Sequence, residues 1–137
     1  MTMKKLKAAI IFVISIVILV IVIMNILTII NPLRKSQAGI EKDILRLTPI
    51  GMHIDDVIKI IEGREKWNVR YIDYEMGYAH PYRLCTDDDY IVGNKSIRAS
   101  IGDYKVIFVP ANVTVLWGFD YDGKLIEIYV WKSFDVI

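Results

Sequence analysis

The sequence is poor in the residues that carry out chemistry. Cysteine occurs once in 137 residues, at Cys85, and histidine twice, at His53 and His80. One cysteine excludes an intramolecular disulfide, and with two histidines the chain lacks the ligands for a four-coordinate zinc site. No cysteine follows the N-terminal apolar run, which excludes a lipobox-type lipid anchor. Basic charge is not in excess either. Beyond residue 30, 14 Lys and Arg stand against 16 Asp and Glu, a formal charge of −2. Nucleic acid, which needs a concentrated basic surface, is therefore not an expected partner. There is no internal repeat, and no low-complexity segment beyond the apolar run.

What the chain does have is that run. Residues 8–30 carry no charge, and only Ser15, Asn25 and Thr28 interrupt the apolar residues. As a helix these residues reach roughly 35 Å, enough to cross a hydrocarbon core about 30 Å thick. Its Ile, Leu, Val and Phe residues sum to about −5 to −10 kcal/mol on an insertion scale, so insertion wins over the three polar residues. The length argues against a buried soluble element. An alternative is a cleaved signal peptide: Lys4, Lys5 and Lys7 form a basic start, and Ser36-Gln37-Ala38 before Gly39 has small residues where a signal peptidase needs them. Against cleavage, the run is longer than a typical signal core, and Arg34 and Lys35 sit close to the candidate bond. An uncleaved, single-pass anchor is the preferred reading. Basic residues in the immediate flank place the N-terminus in the cytoplasm and the rest of the chain outside the cell membrane.

The expected organisation is a basic head (1–7), a transmembrane anchor (8–30), a linker (31–38) and one extracytoplasmic α+β domain (39–137). That domain is long enough for a single modest core. Asn31-Pro32 ends the membrane helix, since proline disfavours helix in the residue before it. Ile40, Ile44 and Leu47 predict a short helix over 39–47, stopped by Thr48-Pro49-Ile50-Gly51. Ile54, Val57, Ile58 and Ile61 form one apolar stripe and predict a second helix over 52–62. Asp55 and Asp56 suit its first turn, Asp55 is spaced to pair with Lys59, and Gly63 is a natural residue to follow it.

After Gly63 the period changes from 3.6 to 2. Trp67, Val69 and Tyr71 alternate with polar residues and predict a half-buried strand over 66–74. Residues 76–94 read mainly as loop, with a short strand at Tyr90-Ile91-Val92. Strands are expected over 96–101 and 104–109, divided by a turn at Gly102-Asp103 and ended by Pro110. The last two strands form a hairpin. Asp122-Gly123 is the favoured pair for a two-residue turn, which sets Phe119 opposite Ile126, Trp117 opposite Ile128 and Val115 opposite Val130. All six are apolar and share one face. The other face carries Thr114, Leu116, Glu127, Tyr129 and Trp131, too apolar for open solvent. Either the 76–94 loop, the linker or the C-terminal tail covers it, or Leu116, Tyr129 and Trp131 form a surface for a protein partner.

Two short stretches carry a family resemblance. Ile50-Gly51-Met52-His53-Ile54-Asp55-Asp56-Val57 is similar to the G-M-[ST]-x-x-x-V start of BamE-like (SmpA/OmlA) envelope lipoproteins, and Phe119-Asp120-Tyr121-Asp122-Gly123-Lys124-Leu125 resembles their F-D-x-x-G-x-L hairpin. The resemblance implies two helices followed by a three-stranded antiparallel meander, a fold shared with β-lactamase-inhibitor-like modules. It covers about a third of the chain and concerns structural punctuation. His53 stands where the family has a capping Ser or Thr, and an apolar span stands in place of the lipidated cysteine. The chain also resembles small membrane-anchored bacterial proteins in its general layout.

No catalytic constellation emerges. Asp87-Asp88-Asp89 lacks the alternate spacing of a calcium loop, and Asp120-x-Asp122-Gly123 is accounted for by the hairpin turn. His53 has no partnered acid or nucleophile by spacing. His80 and Cys85 share a loop without the scaffold that a Cys–His nucleophile requires. Asn94 and Asn112 begin glycosylation sequons, which matter only in a eukaryotic secretory protein. No enzyme activity, cofactor or metal is expected. The expected function is a membrane-tethered, non-catalytic interaction module of the bacterial cell envelope. The alternative is an inhibitor or immunity-type protein.

Overall fold

The apolar run folds as part of one longer helix. In the computed structural model, which describes residues 2–83, 90–106 and 109–134 and only the backbone at 28–29, α1 spans Met3–Ile30. The three lysines of the head belong to it, because nothing between them and the run breaks a helix. Two of the three polar interruptions bond to the helix's own backbone: Ser15 Oγ donates to the Ile11 carbonyl (2.9 Å) and Asn25 Nδ2 to the Ile21 carbonyl (2.7 Å). Such back-bonding satisfies a hydroxyl, or one N–H of an amide, in an apolar setting. Asn31 closes the helix, its N–H reaching the Leu27 carbonyl, and Pro32–Arg34 form a 3-10 turn. Of the described helices this one alone is long and apolar enough to cross a membrane.

Residues 35–137 make a separate α+β unit. α2 spans Gln37–Leu47, two residues earlier than expected because Ser36 caps it, its Oγ accepting from the Gly39 N–H at 3.1 Å. α3 spans Ile54–Glu62 and buries Ile54, Val57 and Ile61. Two local expectations need correcting here. Lys59 pairs with Asp56 and not Asp55, which lies beside His53 instead. Gly63 keeps a right-handed φ of −71°, so it caps α3 without the left-handed turn.

The sheet is antiparallel, in the order β1 (Asn68–Asp73), β4 (Lys95–Val106), β5 (Val109–Phe119), β6 (Leu125–Phe134). Its four strands differ from the three-stranded meander implied by the resemblance, since β1 adds to the free edge of β4. A separate two-stranded hairpin pairs β2 (Tyr78–Ala79) with β3 (Ile91–Val92), the short strand expected at 90–92. The helix-facing side of the sheet carries Ile97, Ala99, Val113, Val115, Trp117, Ile128 and Val130, all buried. Trp117 also donates its indole N–H to the Thr48 hydroxyl at 3.1 Å. Thr48 is itself fully buried and donates to the Ile44 carbonyl, so the polar link between α2 and β5 is complete.

Three bulges revise the expected strands. In β1 the register shifts at Arg70, so Ile72 pairs with the core residue Ile97 and Tyr71 is left 56% exposed instead of half-buried. In β4 a shift at Ile101 absorbs what the sequence suggests is a turn. Gly102, with φ +133°, lies within one continuous strand, and Pro110 is the second residue of β5 in place of ending a strand. The third bulge is in the last hairpin. Its loop has three residues, Tyr121–Gly123, with the Gly123 N–H bonded to the Asp120 carbonyl, Gly123 at φ +80°, and Asp120 and Lys124 joined by the backbone. A three-residue loop by itself would set Trp117 opposite Glu127. A bulge at Ile126 restores the apolar register: Phe119 pairs with Leu125, not Ile126, while Trp117 meets Ile128 and Val115 meets Val130 as expected. Ile126 is turned out to 45% exposure.

Candidate functional site

The side of the sheet away from the helices is divided into a covered half and an open half. The cover is the β2–β3 hairpin. It can lie directly on β5 because Gly118 has no side chain: a Cβ there would come within 2.8 Å of Val92 Cγ1 and 3.0 Å of Tyr78 Cε1. Gly93, at φ +77°, lets the chain pass so close to Phe119 that a Cβ would meet its carbonyl oxygen. Beneath the hairpin, Tyr78, Val92, Leu116 and Tyr129 form a second small core, with Trp131 packed at its margin. The loop cover foreseen for this face is therefore supplied, among the described residues, by the strand pair Tyr78–Ala79 and Ile91–Val92. Of the three residues considered for a partner surface, Leu116 and Tyr129 are buried below the hairpin and Trp131 stays half-buried at its edge.

Polar contacts tie this cover down. Arg83 donates to both carboxylate oxygens of Glu127, at 3.2 and 3.4 Å, and the Tyr78 hydroxyl donates to one of them at 3.4 Å. Burial, and then the Glu127 carboxylate, push the Tyr78 phenol well above its usual range. Upstream, Asp73 turns the chain into the hairpin: its Oδ1 accepts from the Glu75 and Met76 N–H groups and its Oδ2 from the Tyr71 hydroxyl at 2.7 Å. The Tyr71 bond and the backbone donors hold the Asp73 carboxyl below the usual carboxylate range. The Tyr129 hydroxyl is buried and completes no hydrogen bond among the described residues.

The open half is polar. An open depression of about 620 Å³ is lined by Arg70, Tyr71, Arg98, Asp103, Pro110, Asn112, Thr114 and Ser133. Its floor is ordered by side-chain bonds: Asn112 Nδ2 donates to Ser100 Oγ and to Asp103 Oδ1, and Thr114 Oγ1 donates to Asn112 Oδ1. The Arg98 guanidinium lies 5.6 Å over the Trp131 ring. A second cavity, about 280 Å³ and mostly apolar, opens between β1 and the hairpin and is lined in part by Met76, Tyr78, Pro81, Leu116 and Trp131. Tyr71 and Arg98 line both, so the two spaces adjoin.

The residues singled out for chemistry are dispersed. His53 caps α3, its Nδ1 accepting from the Asp55 N–H at 3.3 Å, and its backbone bridges Lys124. The His80 ring lies tilted at 57° against Tyr129, with ring centres 4.6 Å apart, and its Nδ1 accepts from the Tyr82 N–H. Asp120 holds the hairpin loop by accepting from the Lys124 N–H at 2.8 Å. Asn94 bonds through its backbone to Phe119, and Asn112 is part of the groove floor. Cys85 and Asp87-Asp88-Asp89 lie outside the described residues. Among the described residues no group of three His, Cys, Asp or Glu stands where it could hold a metal ion. The Arg70–Arg98 groove went unseen in the sequence because a bulge aims Arg70 and pairing across three strands assembles the rest. The two stretches that carried the family resemblance do meet: the Gly51 and Leu125 N–H groups bond to the Leu125 and Met52 carbonyls, and the Ile54 N–H to Gly123. Comparison with protein-family models, with curated proteins and with solved structures gives no match for this chain.

Proposed function

We propose that the chain is a membrane-tethered, non-catalytic interaction module of the bacterial cell envelope, with its N-terminus in the cytoplasm and residues 39–137 outside. The observation that carries the tether is α1, a 28-residue helix long and apolar enough to cross a membrane, in which Ser15 and Asn25 bond to the helix's own backbone. Retention of the span is supported by Ser36. Cutting after Ala38 would fall inside the first turn of α2 and remove its cap. The interaction role is supported by the groove on the open half of the sheet, lined by Arg98, and by the half-buried Trp131 of the adjoining cavity, which is more accessible to a partner than the covered Leu116 and Tyr129. The BamE-like resemblance agrees with an envelope role without supplying an activity.

Three measurements test this reading. Full-length protein is expected to stay in the membrane pellet after carbonate extraction at uncleaved mass; a soluble species starting at Gly39 overturns the tether. A Tyr121→Cys, Cys85→Ser variant is expected to react with an impermeant maleimide in intact cells, because Tyr121 is 81% exposed on the hairpin loop. Labelling only after lysis reverses the orientation. A photo-crosslinker at position 131 is expected to give a discrete adduct in membranes, and one at position 121 none. If that adduct is a toxin or a hydrolase, the module is of the inhibitor or immunity type.

A further inference from the structure

We infer that the groove binds an oxyanion, carboxylate or phosphate, that carries an adjacent apolar or aromatic group. This rests on the interaction-module reading and gives its site a ligand class. Arg70 and Arg98 bring two guanidinium groups to one depression, and among the described residues no carboxylate pairs with either. The one acid of the groove, Asp103, is occupied as an acceptor for Asn112. Guanidinium forks match planar carboxylates and phosphate oxygens, and they bind them more strongly than neutral donors do. Charge complementarity therefore selects an anion.

The apolar half of the ligand follows from the adjoining cavity. Arg98 lines both spaces and lies over Trp131, so an anion held by Arg98 has its attached group directed along the Trp131 and Tyr71 side. The cavity beyond is about 280 Å³, the scale of one ring or branched side chain, and its lining is mainly apolar. An inorganic anion would use only half of the site. A neutral ring would leave the guanidinium groups without a counter-charge.

The test uses the full-length chain in detergent micelles and the indole N–H resonances of its three tryptophans, Trp67, Trp117 and Trp131. The probes are N-acetylphenylalanine, phenyl phosphate, N-acetylphenylalaninamide and inorganic phosphate. The two anionic aromatic probes are expected to shift Trp131 and leave the buried Trp117 unmoved, with dissociation constants near or below about 1 mM. Their ratio tells a carboxylate ligand from a phosphate one. The neutral amide and inorganic phosphate are each expected to bind at least about tenfold more weakly than the better anionic probe, as is that probe to Arg70→Gln. Among the described residues Arg70 pairs with no acid and lies over no ring, so its variant keeps the test valid where Arg98→Gln disturbs Trp131. An unmoved Trp131, equal binding of acid and amide, or an Arg70→Gln variant that binds as well as the parent each overturns the inference. Any of these results alongside a position-131 adduct refutes the ligand class alone; loss of both refutes the interaction module.

Discussion

The two sides of the central sheet are built from the same strands and solve opposite problems. The helix-facing side is continuous and apolar, and its one deep polar contact, Trp117 to Thr48, is fully satisfied. The far side is split between a covered aromatic patch and an open groove with two arginines. Continuous burial makes the first side the source of stability. The second side keeps a hydroxyl without a partner among the described residues, a cover of two-residue strands and exposed cations, features that add little to stability.

That contrast can be broken by mutation, and the largest effect belongs to the helix-facing side. Trp117→Ala removes a fully buried indole and the hydrogen bond it donates to Thr48, so it is expected to cost about 3–5 kcal/mol in denaturant unfolding. Against a typical total of about 5–15 kcal/mol, that leaves the domain barely folded. Next is Gly118→Val, whose added atoms collide with Val92 and Tyr78. It is expected to cost about 1–3 kcal/mol, and hydrogen exchange should locate the loss of protection in the β2–β3 hairpin before the main sheet. Equal loss throughout would mean that the cover and the core unfold as one.

Smaller effects sharpen the comparison. Trp131→Ala removes a half-buried ring, and is expected to cost about 1–2 kcal/mol in the same melts. A cost equal to that of Trp117→Ala would place both faces on one footing. The Asp73 carboxyl has its pKa lowered by Tyr71 and by two backbone N–H groups. Its contribution is therefore fully present above the ordinary value of 3.8 and is lost as pH falls through the lower folded value. Asp73→Asn is expected to flatten this acid limb of the stability profile and to loosen the turn at residues 73–76. The smallest change is Tyr129→Phe. Its hydroxyl is buried without a partner among the described residues, so removing it is expected to leave stability unchanged or raise it by up to about 1 kcal/mol, read as the unfolding midpoint.

Much of this architecture follows from patterns between near neighbours in the chain. The uncharged, mostly apolar residues of 8–30 dictate a long helix, and the stripe Ile54, Val57, Ile61 dictates which face of α3 is buried. Alternation along β5 and β6 selects the pairs Trp117–Ile128 and Val115–Val130, because a slip by one residue would turn Glu127 onto the core face. The loop geometry behind that register was not legible. A three-residue turn and a bulge at Ile126 cancel, and only their sum affects the core.

Tertiary structure decided what period alone cannot encode. A bulge reverses the sides of a strand at one residue, and its position depends on what packs from elsewhere. Thus Arg70 and Tyr71 reach the groove only because Ile72 is drawn against Ile97. The division of the outer face depends on Gly118 and Gly93, which allow two distant two-residue strands to lie on Leu116 and Tyr129. Arg98 and Trp131 come from strands that do not pair directly, so their 5.6 Å approach exists only once β5 lies between them. Periodicity is a property of adjacent residues and determines which faces are apolar. Steric fit between remote segments determines which part of such a face is closed and which part stays open to a ligand.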